Sequence, residues 1–215
     1  MNIAEEFIKI RNEELVLTNQ RAIYWKRENA LILSDLHIGK TGHFKKHGIP
    51  MPDAILQKDL ERLEALTLHF KAKYLFVVGD LFHAEANEDM TTFKNWLLKF
   101  EFLKIILIKG NHDRLSKTMM VDFNIQVEIE LEIDPFLLVH EHLEIHKENF
   151  TISGHTHPGV LLKGKGRQRL KLPCYQVASN QIILPAFSLF TGLNTRAQLK
   201  DTVTYAFTET SIFKF

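Results

Sequence analysis

What the sequence lacks narrows it first. It has one cysteine, Cys174, so an internal disulfide is excluded. That usage fits a reducing cytoplasm, and an inert, structural thiol is the ordinary reading of such a residue. Charges interrupt every hydrophobic stretch, so no run approaches the ~20 apolar residues of a membrane span. The N-terminus, M-N-I-A-E-E-F-I-K-I, puts two glutamates where an export signal needs an unbroken apolar core. Internal repeats, linkers and low-complexity segments are also missing. The 215 residues, 45% of them hydrophobic, therefore read as one domain, 1–215, large enough to bury a sizeable core. The expected location is cytoplasmic.

Carboxylates are missing from two long stretches although the net charge is only +1. From Asn149 to Lys200 there is no Asp or Glu, against Lys163, Lys165, Arg167, Arg169, Lys171, Arg196 and Lys200. From Leu36 to Pro52 there is again none, against Lys40, Lys45 and Lys46. Acidic residues crowd the middle instead, as at Glu85, Glu88, Glu128, Glu130 and Glu132. Such asymmetry predicts one positive face for an anionic partner.

What is present is a series of short apolar runs that end in polar residues. Leu31 to Lys40 reads L-I-L-S-D-L-H-I-G-K. If the run is a strand, alternation would point Asp35 and His37 to one side just past its carboxyl end. Glu13 to Leu17 and Arg21 to Trp25 precede it as a predicted hairpin. A polar loop, T-G-H-F-K-K-H-G-I-P, follows. Pro52 then suits the first turn of a helix whose Leu56, Leu60, Leu63, Leu66 and Phe70 recur at helical spacing. Lys73 to Val78 and Leu103 to Ile108 are predicted strands, separated by a helix marked by Phe93, Trp96, Leu97 and Phe100. This βαβαβ alternation argues for parallel strands with helices outside. After a short helix near Ser116 to Val121, β-like runs follow at Ile125 to Ile133, Phe136 to Val139, Phe150 to Ser153, Val160 to Lys163, Arg169 to Leu172, Ile182 to Leu184 and Val203 to Phe207. The expected architecture is α/β, two packed mixed sheets with helices on their outer faces.

The run ends collect metal-ligating residue types. Asp35 and His37 follow the first, Asp80 ends V-V-G-D, Asn111 lies in G-N-H-D, His140 ends F-L-L-V-H, and His155 and His157 lie in G-H-T-H. Singly, each has a plainer explanation: a capping Asp, a core His, a turn Asn. Together they place polar residues directly after five apolar runs. Carboxylate, amide oxygen and imidazole suit Mn²⁺, with Fe or Zn²⁺ as alternatives, and do not favour a thiolate-selecting site. Seven candidates exceed what one ion needs, but two divalent ions sharing a bridging carboxylate would use them all. Two ions ~3.5–4 Å apart form a clamp for in-line displacement at phosphorus.

The series D-x-H, G-D, G-N-H-D, H and G-H-T-H resembles the calcineurin-like metallophosphoesterases. Further stretches, H-F-K-K-H-G-I-P at His43 to Pro50 and L-P-A-F-S-L-F-T-G at Leu184 to Gly192, are similar to the bacterial ligase-associated branch, which is related to SbcD-type nucleases. The resemblance implies a four-layer α-β-β-α sandwich and a dinuclear-metal-dependent phosphoesterase that cuts phosphodiesters with a metal-activated hydroxide. It implies DNA as substrate, a role as a DNA-repair endonuclease, DNA ligase and helicase as functional partners, and a homodimer. It would assign Asp35, His37 and His157 to one ion and Asn111, His140 and His155 to the other, with Asp80 bridging. Relatives often show G-H where this chain has V-H-E-H, so His142 competes with His140, which directly ends its apolar run. His112 is the expected acid for the leaving group, since neighbours along the chain diverge and Asn111 takes the ion. Asp113 is expected to orient the His112 ring. His83, His43, Lys45 and Lys46 are candidate substrate contacts. A phosphatase for small phosphoesters or nucleotides, and a non-catalytic interaction module, are the alternatives.

Overall fold

The computed structural model describes all residues except 47, 49–53, 84–86, 114–120, 144–147, 197–198 and 200; of 43, 45 and 46 it describes the backbone alone. Two sheets carry the architecture. The first runs in order β1 (Glu5–Ile10), β2 (Glu13–Thr18), β3 (Ile23–Trp25), β4 (Ala30–Leu33), β5 (Tyr74–Val78), β6 (Lys104–Ile108), β7 (Ile125–Glu128). Its pairs are antiparallel from β1 to β4 and parallel from β4 to β7. Helices α1 (Lys40–Lys46), α2 (Ala54–Phe70) and α3 (Glu88–Leu97) lie in the crossovers.

Central strand β4 shows why these residues make this layer. All four of its side chains are fully buried, as expected where a parallel strand is covered on both faces. Leu31 and Leu33 join Leu60, Leu63 and Leu66 of α2 and Phe93 and Trp96 of α3 in the core beneath the helices. Ala30 and Ile32 face the other way, into a core shared with the second sheet. Helical spacing thus supplies one core and strand alternation divides the other side between two.

The second sheet consists of β8 (Glu130–Ile133), β9 (Phe136–Val139), β10 (Phe150–Ser153), β12 (Arg169–Val177), β13 (Gln181–Ile183), β14 (Val203–Phe207) and β15 (Ile212–Lys214), with β11 (Gly159–Lys163) hydrogen-bonded to β12. Pairs β9–β10 and β10–β13 are parallel, and the rest antiparallel. Its inner face contributes Phe136, Phe150, Tyr175, Ile182 and Phe207 to the inter-sheet core. On its other side a small cluster of Val160, Leu172, Cys174 and Ala206 gathers beneath the β11–β12 hairpin. Burial there pushes the Cys174 thiol up to about 12, consistent with an inert core residue. The expected pair of mixed sheets is observed, and the helices among the described residues serve the first sheet.

Several elements differ from expectation. Ile125 to Ile133 is not one strand but β7 and β8, which belong to different sheets. The chain changes layer at Ile129, 85% exposed and in neither strand. The polar stretch after Lys40 contains helix α1, and the terminal strands β1 and β15 had too little apolar alternation to be foreseen. Pro52 and all of the helix foreseen near Ser116 to Val121 except Val121, which is helical, lie outside the described residues. No helix of the structure is long and apolar enough to cross a membrane.

Phe136, 1% exposed, bridges the sheets edge-on to Trp25 at 5.0 Å and 5.5 Å from Phe150. Phe136→Ala should lower stability by about 3–5 kcal/mol, read from guanidinium unfolding midpoints at unchanged slope.

Candidate metal centre

Parallel strands from both sheets deliver their carboxyl ends to one rim. Asp35, Asp80 and Asn111 follow β4, β5 and β6; His140 follows β9; His155 and His157 follow β10. Open α/β sheets bind their ligands at such ends. The loops are zipped together by main-chain bonds: Asp35 N–H donates to Gly79 O at 3.0 Å, His37 to Asp80 O at 2.9 Å and Ile38 to Leu81 O at 2.8 Å.

Asp35 and His37 do meet, but not by strand alternation. Both are left-handed, with φ of 56° and 52°, and so are Asp80, His155 and His157 at 52°, 66° and 50°. Non-glycine residues held there cost free energy and cluster at functional sites. Each turn ends a strand abruptly and swings the next side chain over the rim. Glycines make room. A Cβ on Gly79, itself at φ 82°, would lie 1.8 Å from His140 Nδ1, and one on Gly110 would lie 2.2 Å from Asp80 Oδ1.

Two groups of ligand atoms result. Those of Asp35, His37 and His157 lie within 4.8 Å of one another, as do those of Asp35, Asp80 and His140. His140 Nε2 is 3.1 Å from both Asn111 Oδ1 and His155 Nδ1, and 3.6 Å from Asp80 Oδ1. All seven candidates therefore converge, and the residue the two groups share is Asp35, with Asp80 in the second group alone. His142 does not join them; its Nδ1 pairs with Thr151 Oγ1 at 2.8 Å.

The donor atoms fit divalent ions. His157 Nε2 and Asp35 Oδ1 are 3.1 Å apart, yet neither finds a hydrogen-bond partner of acceptable geometry, and both nitrogens of His37 lack one too. Buried polar atoms left so are rare and costly. Asp35, His37 and His157 can each offer one such atom to a shared space, an oxygen and two imidazole nitrogens, which suits a hard or borderline cation. Burial pushes His37 down to about 3, against the opposing pull of Asp35, so its ring is neutral and can ligate near pH 7. Burial would raise Asp35, but its contacts with His157, Ser34 and His37 together hold the carboxyl below its usual range.

The remaining candidates divide. His112 is exposed, its ring 5.3 Å from that of His83 and 6.2 Å from that of His37, while its N–H donates to Asp80 Oδ1 at 3.0 Å. His83 thus joins the group, 5.4 Å from the His37 ring. Asp113 does not orient His112. Its oxygens accept from the main-chain N–H groups of Asp80, Phe82 and Gly110 at 2.8, 2.9 and 2.8 Å. Burial raises it to about 6 despite these donors, and its role is to pin the β6 loop to the β5 loop. The side chains of His43, Lys45 and Lys46 lie outside the described residues.

Sequence reasoning missed a support behind Asp35. The segment 186–189 bonds to the β4 end through Phe187 N–H to Ser34 O at 2.8 Å and Ser188 N–H to Asp35 O at 3.2 Å. From the other side α2 grips it. Asp59 accepts from Leu189 N–H at 3.1 Å, and Arg62, paired with Asp59 at 2.8 Å, donates to Phe187 O at 2.9 Å. Arg21 adds bonds to Ala186 O and Ser188 O, each 3.0 Å. The only signal was the L-P-A-F-S-L-F-T-G stretch itself.

A rim of carboxylates, imidazoles and an amide, assembled by the strand ends of two mixed sheets, defines a metal-dependent phosphoesterase. The family model of calcineurin-like phosphoesterases matches residues 29–149, and the chain belongs to that family. Among solved structures it is similar to the nuclease MPE of Pseudomonas putida, with a TM-score of 0.82 at 31% identity over 94% of this chain and 96% of that one. More distant likenesses are YfcE, a phosphoesterase from E. coli (TM-score 0.42, 13% identity, 84% and 88% of the two chains), and AQ665 from Aquifex aeolicus (0.42, 18%, 64% and 82%). No curated protein matches the chain.

Gly79→Ala should weaken Mn²⁺ binding at least tenfold, because the added methyl displaces His140; calorimetric titration with Mn²⁺ reads this directly.

Proposed function

We propose that this chain is a nuclease that hydrolyses phosphodiester bonds in DNA with two divalent ions, most naturally Mn²⁺, in a DNA-repair setting. The observation that carries the reading is the convergence of seven ligand side chains in two overlapping groups around Asp35 and Asp80. Similarity to the Pseudomonas putida nuclease along nearly the whole chain supports a nucleic-acid substrate. The sequence resemblance to ligase-associated, PdeM-type endonucleases supports repair, with a DNA ligase and a helicase as functional partners and a homodimer as the assembly.

In this reading Asp35, His37 and His157 would hold one ion and Asn111, His140 and His155 the other, and Asp80 would serve both. When bound, such ions lower the pKa of water from 15.7 to roughly 7 and neutralise charge on the phosphoryl oxygens. The chain's own groups do the rest. His112, exposed at the opening and anchored through its amide to Asp80, would protonate the leaving oxygen. His83 stands beside it to contact the substrate. Asp113, its carboxylate occupied by amides, keeps Asp80 and the Gly110 turn in place.

The test compares Mn²⁺-loaded wild type, Asp80→Ala and His112→Ala on single-stranded DNA and on a small aryl phosphodiester. Asp80→Ala should abolish turnover on both. His112→Ala should cut DNA cleavage about 10²–10⁴-fold, the usual contribution of a general acid, while retaining its Mn²⁺. Hydrolysis of the small ester with DNA left intact would replace the nuclease reading with that of a small-phosphoester phosphodiesterase.

A further inference from the structure

The β11–β12 hairpin has a charge pattern that packing does not explain. It starts at Gly159, two residues after the candidate ligand His157, and that junction is fixed by Asn194 N–H to His157 O at 2.9 Å and Gly159 N–H to Asn194 O at 3.1 Å. The five residues of β11 then lead away from the rim, ~16 Å at ~3.3 Å per residue. Register divides the hairpin into two faces. Val160 opposite Leu172 packs one face onto Cys174 and Ala206, with Leu162 partly buried beside them. The other face carries Lys163 directly opposite Arg169 and, two pairs nearer the rim, Lys171 opposite Leu161. Lys165 and Arg167 form the tip. All five cations are exposed, and among the described residues none forms an ion pair.

Like charges directly across an antiparallel pair destabilise it. Lys163 and Arg169 do this on a strand whose fold needs neither, and no carboxylate from 149 to 200 relieves it. An anion lying along that face would turn the repulsion into attraction. The hairpin's base adjoins the centre where a phosphoester must sit, so an anionic chain that reaches the centre can also follow the hairpin. A flat anionic bilayer meets the tip but has no such path to the rim.

We propose that the outer face of the β11–β12 hairpin, Lys163, Arg169 and Lys171, is a docking arm for the phosphate backbone of a nucleic-acid strand whose scissile bond lies at the metal centre. This rests on the nuclease reading above. Phosphate contacts of this kind give sequence-independent, salt-sensitive affinity. The arm therefore acts on long substrates and not on esters too short to leave the rim.

The experiment measures kcat/KM of the Mn²⁺-loaded protein for a single-stranded oligonucleotide from ~50 to ~200 mM salt, alongside an aryl phosphodiester. It compares wild type with K163Q/R169Q/K171Q and with the charge-conserving K163R/R169K/K171R. The neutralised variant should lose about tenfold or more on the oligonucleotide at low salt. Its log–log salt slope should be shallower by about 2, three contacts at ~0.7 each. The small ester should be hydrolysed at the wild-type rate, and the charge-conserving variant should match wild type throughout. An unchanged oligonucleotide slope would overturn the arm, as would an equal loss on the small ester, which would place the effect at the centre. Loss of binding to phosphatidylserine vesicles with oligonucleotide cleavage intact would overturn it in favour of a membrane contact. Wild type that hydrolyses the ester but never cuts the oligonucleotide would remove the nuclease reading itself.

Discussion

Three main-chain hydrogen bonds, from Asp35, His37 and Ile38 to the carbonyls of Gly79, Asp80 and Leu81, decide the geometry of everything nearby. They force two consecutive strand ends to turn together, and the turn is left-handed at Asp35, His37 and Asp80 alike. A left-handed residue costs on the order of 1 kcal/mol or more, so the pattern persists only because the surroundings over-determine it. Asp113 holds one side through three amides, and the 186–189 segment, gripped by Asp59 and Arg62, holds the other.

That rigidity serves the chemistry. Ligand atoms such as His157 Nε2 and Asp35 Oδ1, 3.1 Å apart, are held at close quarters by these loops. Keeping them close without mutual hydrogen bonds prepares a space whose missing partner is positive charge. Burial adds to the preparation by holding His37 neutral. The sheets supply the support: the inter-sheet core behind the rim contains Ile32, Phe76, Val78 and Ile108 from one sheet and Leu138 and Ile152 from the other, strands that end in the ligands.

Much of this was legible in the sequence where local rules apply. Apolar runs ending at Ser34, Gly79, Gly110 and Val139 located the strand ends, and helical spacing located α2 and α3. The seven ligand candidates came from the same signal and lie together in the structure. What was not legible depends on distant partners. Helix α1 starts where Thr41 Oγ1 and Gly42 N–H donate to Asp89 Oδ2 at 2.6 and 2.9 Å, a cap supplied from the first turn of α3. Asp113 looked like a partner for His112 because the two are adjacent, whereas burial and three amide donors claim it. The alternation argument placed Asp35 and His37 correctly for a wrong reason, since positive φ, not an extended strand, brings them together.

On the proposed reading these loops form one preorganised site for two ions. Anomalous diffraction from Mn²⁺-loaded crystals tests it most directly. The account predicts two Mn²⁺ peaks ~3.5–4 Å apart, one against Asp35, His37 and His157, the other against Asn111, His140 and His155, with Asp80 touching both. A single peak, or two that do not share Asp80, would contradict it.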